Sequence, residues 1–521
     1  MGTGKSIVKV IESGKFDAAP FEAVNVALEE KATDVRGSAL SAAFGRLGGG
    51  VGDVELDAVV ASPLAVQSAP ASARGSGSAV GSTATAAPVT AATTAAVGTG
   101  ATAGSDLTAE ERRISASVDE RAAEAIAFLQ RITDINSGTM NPPGVREVGR
   151  MFEAELAELG FETRWIEMPP EMGRAGHLFA EIDGGSGKRV LLIGHLDTVY
   201  ESDSPFQRFE MLEDGQARGP GVADMKGGDV VILYALRALA DAGVLENARI
   251  VVALLGDEEA TGDPLTISRA DLYDAARRSD AALGFEGGVG GLNSATVARR
   301  GFTGWTLDVT ATRGHSSVIF SNKYGAGAIF EAARILNRFY EDMRGEEYLT
   351  FGAGLILGGT RVEYDAQHDR GEAFGKTNVI PQSVTVAGDL RALTFDQLES
   401  AKARMRTIVA ESLPKATGTI RFRDSYPPMA PTEGNYALLQ VLDGVSRDLG
   451  FGPIEAVDPG RRGAADISFA AQYTDALGGL GVMGSGAHTP SETVDLESIG
   501  VMTKRAALLV HRLAQEEAGG G

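Results

Sequence analysis

From Leu107 onward, short apolar runs alternate with stretches of helical periodicity. LTAEERRISASVDERAAEAIAFLQRIT reads as helix, and in GVREVGRMFEAELAELGF the residues Val145, Val148, Phe152, Leu156 and Leu159 recur near one helical face. Arg189 to Gly194 (RVLLIG) predicts a buried strand, Asp229 to Gly243 a helix, Ala248 to Leu255 (ARIVVALL) a strand, and Ala281 to Phe285 another. Apolar runs of this length interleaved with helices predict an α/β fold, a mostly parallel sheet covered by helices.

The pattern changes at Gly301. TGWTLDVTAT and SVTVAGDLRAL alternate apolar and polar positions, with helical stretches at about 325–343 and 395–413, so residues 301–426 predict a smaller α+β domain with half-buried strands. After Pro427 the helix-like YALLQVLDGVSRDLG, the run LGGLGVMGSG and the terminal LESIGVMTKRAALLVHRLA return to the first style. The main domain is therefore expected to be discontinuous, 107–300 with 427–521, and the smaller domain inserted in it. Residues 71–105 are almost all Ala, Gly, Ser, Thr and Val, with Arg74 the one charge, and cannot bury enough surface to offset chain entropy. A flexible linker over 71–106 follows, with residues 1–70 an N-terminal extension of no assigned role.

Composition narrows the partners. The chain has 521 residues, a 43% hydrophobic content and a net charge of −22. That charge repels phosphate and argues against nucleic acid or an anionic membrane as partner. No run approaches the length of a membrane span. The opening MGTGKSIVKVIESGKFD lacks the apolar core of an export signal, because Glu12, Lys15 and Asp17 interrupt it, so the compartment stays open. Gly4-Lys5-Ser6 resembles the end of a phosphate-binding loop only by chance, as no strand leads into it. With no cysteine, any transition-metal site must use histidine and carboxylates.

Such groups stand at predicted strand ends and Gly-rich turns: His195 and Asp197 in GHLDTV, Asp224 in GPGVADMKGG, Glu258 and Glu259 in GDEEATG, Glu286 in GFEGG, and His488 in GSGAHTPSETVD. In an α/β sheet those positions gather at one edge. Taken singly, His195 is as readily a hydrogen-bonded core histidine, the Glu pair charge at a helix start, Asp224 a turn residue, and Glu286 and His488 surface groups. Together, two histidines and three carboxylates supply the mixed donors that a pair of zinc ions prefers.

The segments SGTMNPPGV, GHLDTV, GPGVADMKGG, GDEEATG, GFEGG, RGHSS, KTNVIPQS and GAHTPSE resemble, in order, the motifs of the zinc aminoacylases, glutamate carboxypeptidases and succinyl-diaminopimelate desuccinylases, over about 118–515. The resemblance implies a dinuclear-zinc catalytic domain with a ferredoxin-like inserted lid and dimerisation domain, and two Zn²⁺ per chain, for which Co²⁺ could substitute. It makes Asp224 the bridging carboxylate, His195 and Glu286 ligands of one ion, and Glu259 and His488 ligands of the other. Glu258 becomes the general base, and Asp197 the acceptor that fixes the His195 ring. His315, by itself an exposed turn histidine, would reach a partner's active site across a homodimer. Asn378 and Arg391 match positions that bind the substrate carboxylate and neighbouring oxygens, although an Arg on an alternating strand more often faces solvent. Arg461 and Arg462 lie where some relatives place another cationic contact. His177, His368 and His511 fit no ligand position, His511 reading as a surface residue, and Trp165 and Trp305 read as packing.

The expected activity is hydrolysis of an amide bond beside a free carboxylate in a small peptide, as in a carboxypeptidase releasing a C-terminal, glutamate-type amino acid. An N-acyl amino acid deacylase would use the same machinery. A non-catalytic binding protein of the same fold is the rival from another class, and its mark, a lost ligand or base, is not seen.

Overall fold

The computed structural model describes residues 107–366 and 368–516, so the expectations for residues 1–106 lie outside the described residues. The first helix, Ala109–Glu120, starts at a reciprocal cap. Thr108 Oγ1 accepts from the Glu111 amide at 3.1 Å, and the Thr108 amide donates to the Glu111 carboxylate at 2.7 Å. The buried Glu111 also accepts from Arg512 Nε at 2.8 Å, which ties this start to the last helix, Leu496–Gln515.

The main sheet has six strands in the order Glu162–Ile166, His177–Asp183, Arg249–Leu255, Arg189–His195, Ala281–Gly284 and Ala476–Leu477. The last four are mutually parallel, as the apolar runs predict. The first two are antiparallel additions at one edge. Within the parallel strands, successive residues serve two cores. Val190, Leu192, Ile250 and Val252 pack under the helices Ala122–Thr133, Lys226–Asp241 and Leu496–Gln515. Leu191, Ile193, Val251 and Ala253 pack on the other side, with Leu272 and Phe469. Burial on both faces explains why these runs do not alternate.

A second sheet, wholly antiparallel, runs in the order Thr350–Gly359, Ser383–Arg391, Thr303–Ala311 and Ala416–Asp424. The helices Ala328–Met343 and Phe395–Ala410 cover one face, giving a separate core around Trp305, Leu307, Val386, Phe339 and Met405. Its strands show the expected alternation, Thr303–Ala311 being buried at every second residue for most of its length. Two antiparallel segments connect the sheets: Arg299 and Met429 exchange main-chain bonds of 2.9 and 3.0 Å, and Phe302 donates to Tyr426 at 2.8 Å.

Helix Lys226–Asp241 begins three residues before the expected Asp229, and its opening glycines show why. An added Cβ on Gly228 would lie 2.0 Å from the Phe285 carbonyl oxygen, and one on Gly227 2.4 Å from that of Val222. The pair lets the helix start against the strand end that precedes Glu286. His511, expected at the surface, is buried, with Nε2 2.9 Å from Gln515 Nε2, because the terminal helix packs against helices on more than one side. No helix among the described residues is long and apolar enough to cross a membrane.

Two helix glycines should respond oppositely to alanine. Gly228→Ala forces backbone apart and should lower stability by about 1–3 kcal/mol. Gly500→Ala, in a helix with nothing within 4 Å of the added Cβ, should raise it by about 0.5–1 kcal/mol. Urea unfolding of the metal-free protein measures both.

Candidate metal centre

Parallel strands deliver their carboxyl ends to one edge. Arg189–His195 ends on His195 itself, Arg249–Leu255 leads into Asp257, Glu258 and Glu259, and Ala281–Gly284 leads into Glu286. Asp224 and His488 arrive from a different structure, a small sheet in the order Gly484–Ser485, Thr493–Asp495, Gln216–Arg218 and Glu210–Met211. Its outer hairpin carries His488 at the turn, with φ of +63°, a left-handed conformation rare for histidine. The run Leu480 to Met483 is not a strand, yet it follows the Glu286 segment, with Leu480 donating to Gly284 and Gly481 to Glu286, both at 3.1 Å.

Five of the expected residues converge as two groups sharing Asp224. In the first, His195 Nε2 lies 3.4 Å from Asp224 Oδ1 and 3.7 Å from Glu286 Oε1. In the second, His488 Nε2 lies 3.1 Å from Asp224 Oδ2 and 3.2 Å from Glu259 Oε2. His195 Nε2 is buried without a hydrogen-bond partner, although buried ring nitrogens are normally satisfied. An orphaned imidazole nitrogen among convergent carboxylates fits a cation in each group, with Asp224 offering one oxygen to either.

Two carboxylates hold this arrangement from behind. The completely buried Asp197 accepts from Thr139 Oγ1 at 2.6 Å and from the amides of Glu258 and Glu259 at 3.0 and 3.1 Å. Its contact with His195 is divided: Nδ1 lies 3.1 Å from the Asp197 main-chain oxygen and 3.4 Å from its carboxylate. The ring is thus oriented chiefly by the backbone, while the side chain that the sequence suggested for that task positions the Glu258–Glu259 turn. Glu492 does the same for the Asp224 loop, accepting from Ala223 at 2.8 Å, Asp224 at 3.0 Å and Gly221 at 3.2 Å. Sequence reasoning missed Glu492; its signal was a second carboxylate four residues after His488.

Proton affinities register the crowding. Burial works against charge at His195, yet the nearby carboxylates of Asp197 and Asp224 raise its pKa well above the ordinary value. Hydrogen bonds to Asp224 and Glu259 push His488 up to about 10. Burial pushes Glu259 up to about 7, against the opposing hydrogen bond to His488. Burial and then the neighbouring Glu286 raise Glu258 well above the carboxylate range. Offsetting carboxylates withdrawn from water in this way is a task that divalent cations would also perform.

Glu258 belongs to neither group. It lines, with Glu259, a cleft of ≈ 1090 Å³ bounded on the far side by the open face of the second sheet. Tyr426, from the segment joining the sheets, donates to the Glu258 main-chain oxygen at 2.7 Å. The candidate substrate residues stand apart. His315 is exposed, its Nδ1 2.8 Å from Ser317 Oγ, and Asn378 accepts from the neighbouring Ser316 amide at 2.9 Å. Arg391 donates to Asp389 at 2.9 Å and lies over the Phe302 ring. Arg461 is exposed, whereas Arg462 is partly buried with an unpartnered Nε. Beside it lies Arg299, which no motif marked; it is buried and, apart from one bond to the Gly463 oxygen at 3.2 Å, leaves Nε and Nη2 unpartnered.

A family model described as Peptidase family M20/M25/M40 matches residues 191–512, the span that carries all five converging residues. The chain belongs to this family. The M20 chain is 28% identical to carboxypeptidase G2 of Pseudomonas sp. (strain RS-16) over 406 residues, covering 76% of this chain and 90% of that protein. It is 24% identical to succinyl-diaminopimelate desuccinylase of Magnetococcus marinus, covering 69% and 90%. Among solved structures, an M20 family metallo-carboxypeptidase from Sulfolobus solfataricus superposes with a TM-score of 0.55 at 15% identity, covering 75% of this chain and 99% of that one. Aminopeptidase PepT from Bacillus cereus gives 0.60 at 16%, covering 76% and 99%. These likenesses establish the M20 fold, and the family makes the chain a hydrolase of the metallopeptidase type.

Because Glu492 acts on the loop rather than on the ions, Glu492→Gln should leave the fold intact and weaken metal binding about 10- to 100-fold. Competition with a chromogenic chelator reads the affinity; unchanged affinity would detach Glu492 from the centre.

Proposed function

We propose that this M20 hydrolase holds two zinc ions per chain, Co²⁺ substituting, and cleaves an amide bond adjacent to a free carboxylate, acting as a carboxypeptidase that releases a glutamate-type C-terminal amino acid. The observation that carries the reading is the pair of donor groups sharing Asp224, with Glu258 outside both and lining the cleft beside them. His195 and Glu286 would hold one ion, Glu259 and His488 the other, and Asp224 both. The nitrogen and carboxylate donors, without thiolate, suit zinc. Bound there, the ions would acidify water and polarise the scissile carbonyl.

The chain's own groups do the rest. Glu258 accepts the proton of the attacking water on its carboxylate and returns a proton to the departing amine, so no covalent enzyme intermediate is needed. Asp197 and Tyr426 fix the Glu258 backbone from opposite sides, at the amide and the carbonyl. Buried Arg299, with Arg462 beside it, supplies unpartnered guanidinium donors for the substrate carboxylate. Burial lowers the Arg299 pKa to about 10, with Arg462 adding to the effect, as expected of cations awaiting an anion. Asn378 and Arg391 are further candidates for that contact.

His315 has no contact with the five converging residues, which supports its acting in a partner's centre. A homodimer through the second sheet follows, favoured by the free edge of Thr350–Gly359 and by the exposed, mutually packed Phe320 and Phe330. The desuccinylase relatives favour a second reading, deacylation of N-acyl amino acids, with the same residues in the same roles.

Three measurements test this. Chelation should abolish hydrolysis and Zn²⁺ or Co²⁺ restore it, on a panel of glutamyl conjugates, acidic peptides, acetyl amino acids and succinyl-diaminopimelate; no activity on any of them removes the reading. Glu258→Gln should keep its metal while losing roughly 10²- to 10⁴-fold in kcat, and an active variant removes Glu258 from its role. Mixing Glu258→Gln with His315→Ala protomers should restore part of the activity if His315 works in trans.

A further inference from the structure

Between strands Thr350–Gly359 and Ser383–Arg391 the chain makes an excursion that the six-stranded sheet and the metal centre do not require. Arg361–Asp365 and Arg370–Phe374 pair as an antiparallel hairpin of their own. It folds back over the open face of the second sheet: Gly371 sits so close to Leu357 that an added Cβ would lie 2.5 Å from Leu357 Cδ1. At its far end Tyr364, Ala366 and Asp369 line the same ≈ 1090 Å³ cleft as Glu258 and Glu259. The hairpin therefore roofs the space beside the general-base candidate.

The polar groups of that cleft are unequally engaged. Asp263 pairs with Arg423 at 3.0 Å, Asp389 with Arg391 at 2.9 Å and Asp424 with Lys402 at 2.6 Å. Asp369 accepts only from the Tyr364 hydroxyl, at 2.8 Å, among the described residues. Tyrosine and aspartate are thus joined into one polar unit at the roof, with carboxylate capacity left for a donor from a bound molecule.

We infer that the hairpin Arg361–Phe374 is a specificity element that reads the acyl side of the scissile amide. Resting on the hydrolase reading above, it assigns the two ends of the substrate to different parts of the chain. The carboxylate end goes to the guanidinium groups near Glu286, and the acyl end goes under the hairpin. Acyl groups that carry a hydrogen-bond donor are favoured in that space, with the donor directed to Asp369 and the body of the group against the Tyr364 ring.

The hairpin can be removed without pulling its ends apart, since Thr360 donates to the Phe374 oxygen at 2.7 Å. The experiment uses the zinc-loaded full chain, a variant joining Thr360 directly to Gly375, and the variants Tyr364→Ala and Asp369→Asn. Asn tolerates the left-handed φ of +47° at that position. Glycyl-, acetyl-, benzoyl- and hexanoyl-glutamate vary the acyl side, and glycyl conjugates of other amino acids vary the leaving side.

Excision should shrink the spread of kcat/KM among acyl groups by about tenfold or more, while ratios among leaving amino acids stay within about twofold. The point variants should raise KM for the glycyl substrate more than they lower kcat. An acyl ranking unchanged in all three variants overturns the inference and leaves the hydrolase reading standing. Absence of hydrolysis by the unaltered chain overturns both. If the excised chain does not fold, the two point variants decide alone.

Discussion

Both oxygens of Asp224 face a histidine, Oδ1 toward His195 at 3.4 Å and Oδ2 toward His488 at 3.1 Å, and the rest of the centre is arranged around that double commitment. A partly buried carboxylate between two imidazoles can keep its place only if its backbone cannot drift. Glu492 supplies that restraint by accepting the amides of Gly221, Ala223 and Asp224 together. The small sheet supplies it again, because Gln216–Arg218, which leads to Asp224, pairs directly with Thr493–Asp495, which follows His488. One structure thus positions the shared carboxylate and one of its histidines, while the main sheet positions the other histidine and both glutamates. The site is a meeting of two sheets, and each brings ligand candidates the other lacks.

The second sheet stands in a different relation to the centre. It carries its own core, and its two connecting segments are bonded to each other, so it moves or holds as a unit. What it offers the cleft is its uncovered face, with the hairpin folded over part of it. The residues proposed for catalysis and those proposed for specificity are in this way built on separate cores, joined through the Tyr426 hydroxyl on the Glu258 turn and the Arg423 pair with Asp263. A change on the second sheet can alter what enters the cleft while the Asp224 hydrogen bonds stay as they are.

Much of this was legible in the chain. RVLLIG, RIVVALL and AALGF announced parallel strands because residues buried on both faces leave no polar alternation, and the residues just past them could be assigned to one edge. TGWTLDVTAT announced a half-buried strand for the opposite reason. Other elements carried no such mark. Thr350–Gly359 is Gly-rich and partly exposed, and Glu162–Ile166 is an edge strand with few buried positions, so neither shows the period of its state. The hairpin strand Arg370–Phe374 is exposed throughout. Long-range partners were the least visible. Glu492 read as an ordinary carboxylate, and Asp197 was marked for the His195 ring but not for the Glu258–Glu259 turn, since acceptance of backbone amides from distant turns leaves no local signature. Arg299 resembled its partly buried neighbour Arg300, and only the fold separates the one from solvent.

The pairing of Gln216–Arg218 with Thr493–Asp495 also sets an order of events during synthesis. His195, Asp224, Glu259 and Glu286 all leave the ribosome long before His488 and Glu492. Until those late residues arrive, the Asp224 loop has no acceptor for its amides and the shared carboxylate faces a single histidine. The nascent chain can complete the sheet core yet present only part of the donor set. The second donor group, which needs His488, is thereby completed only at the end of translation.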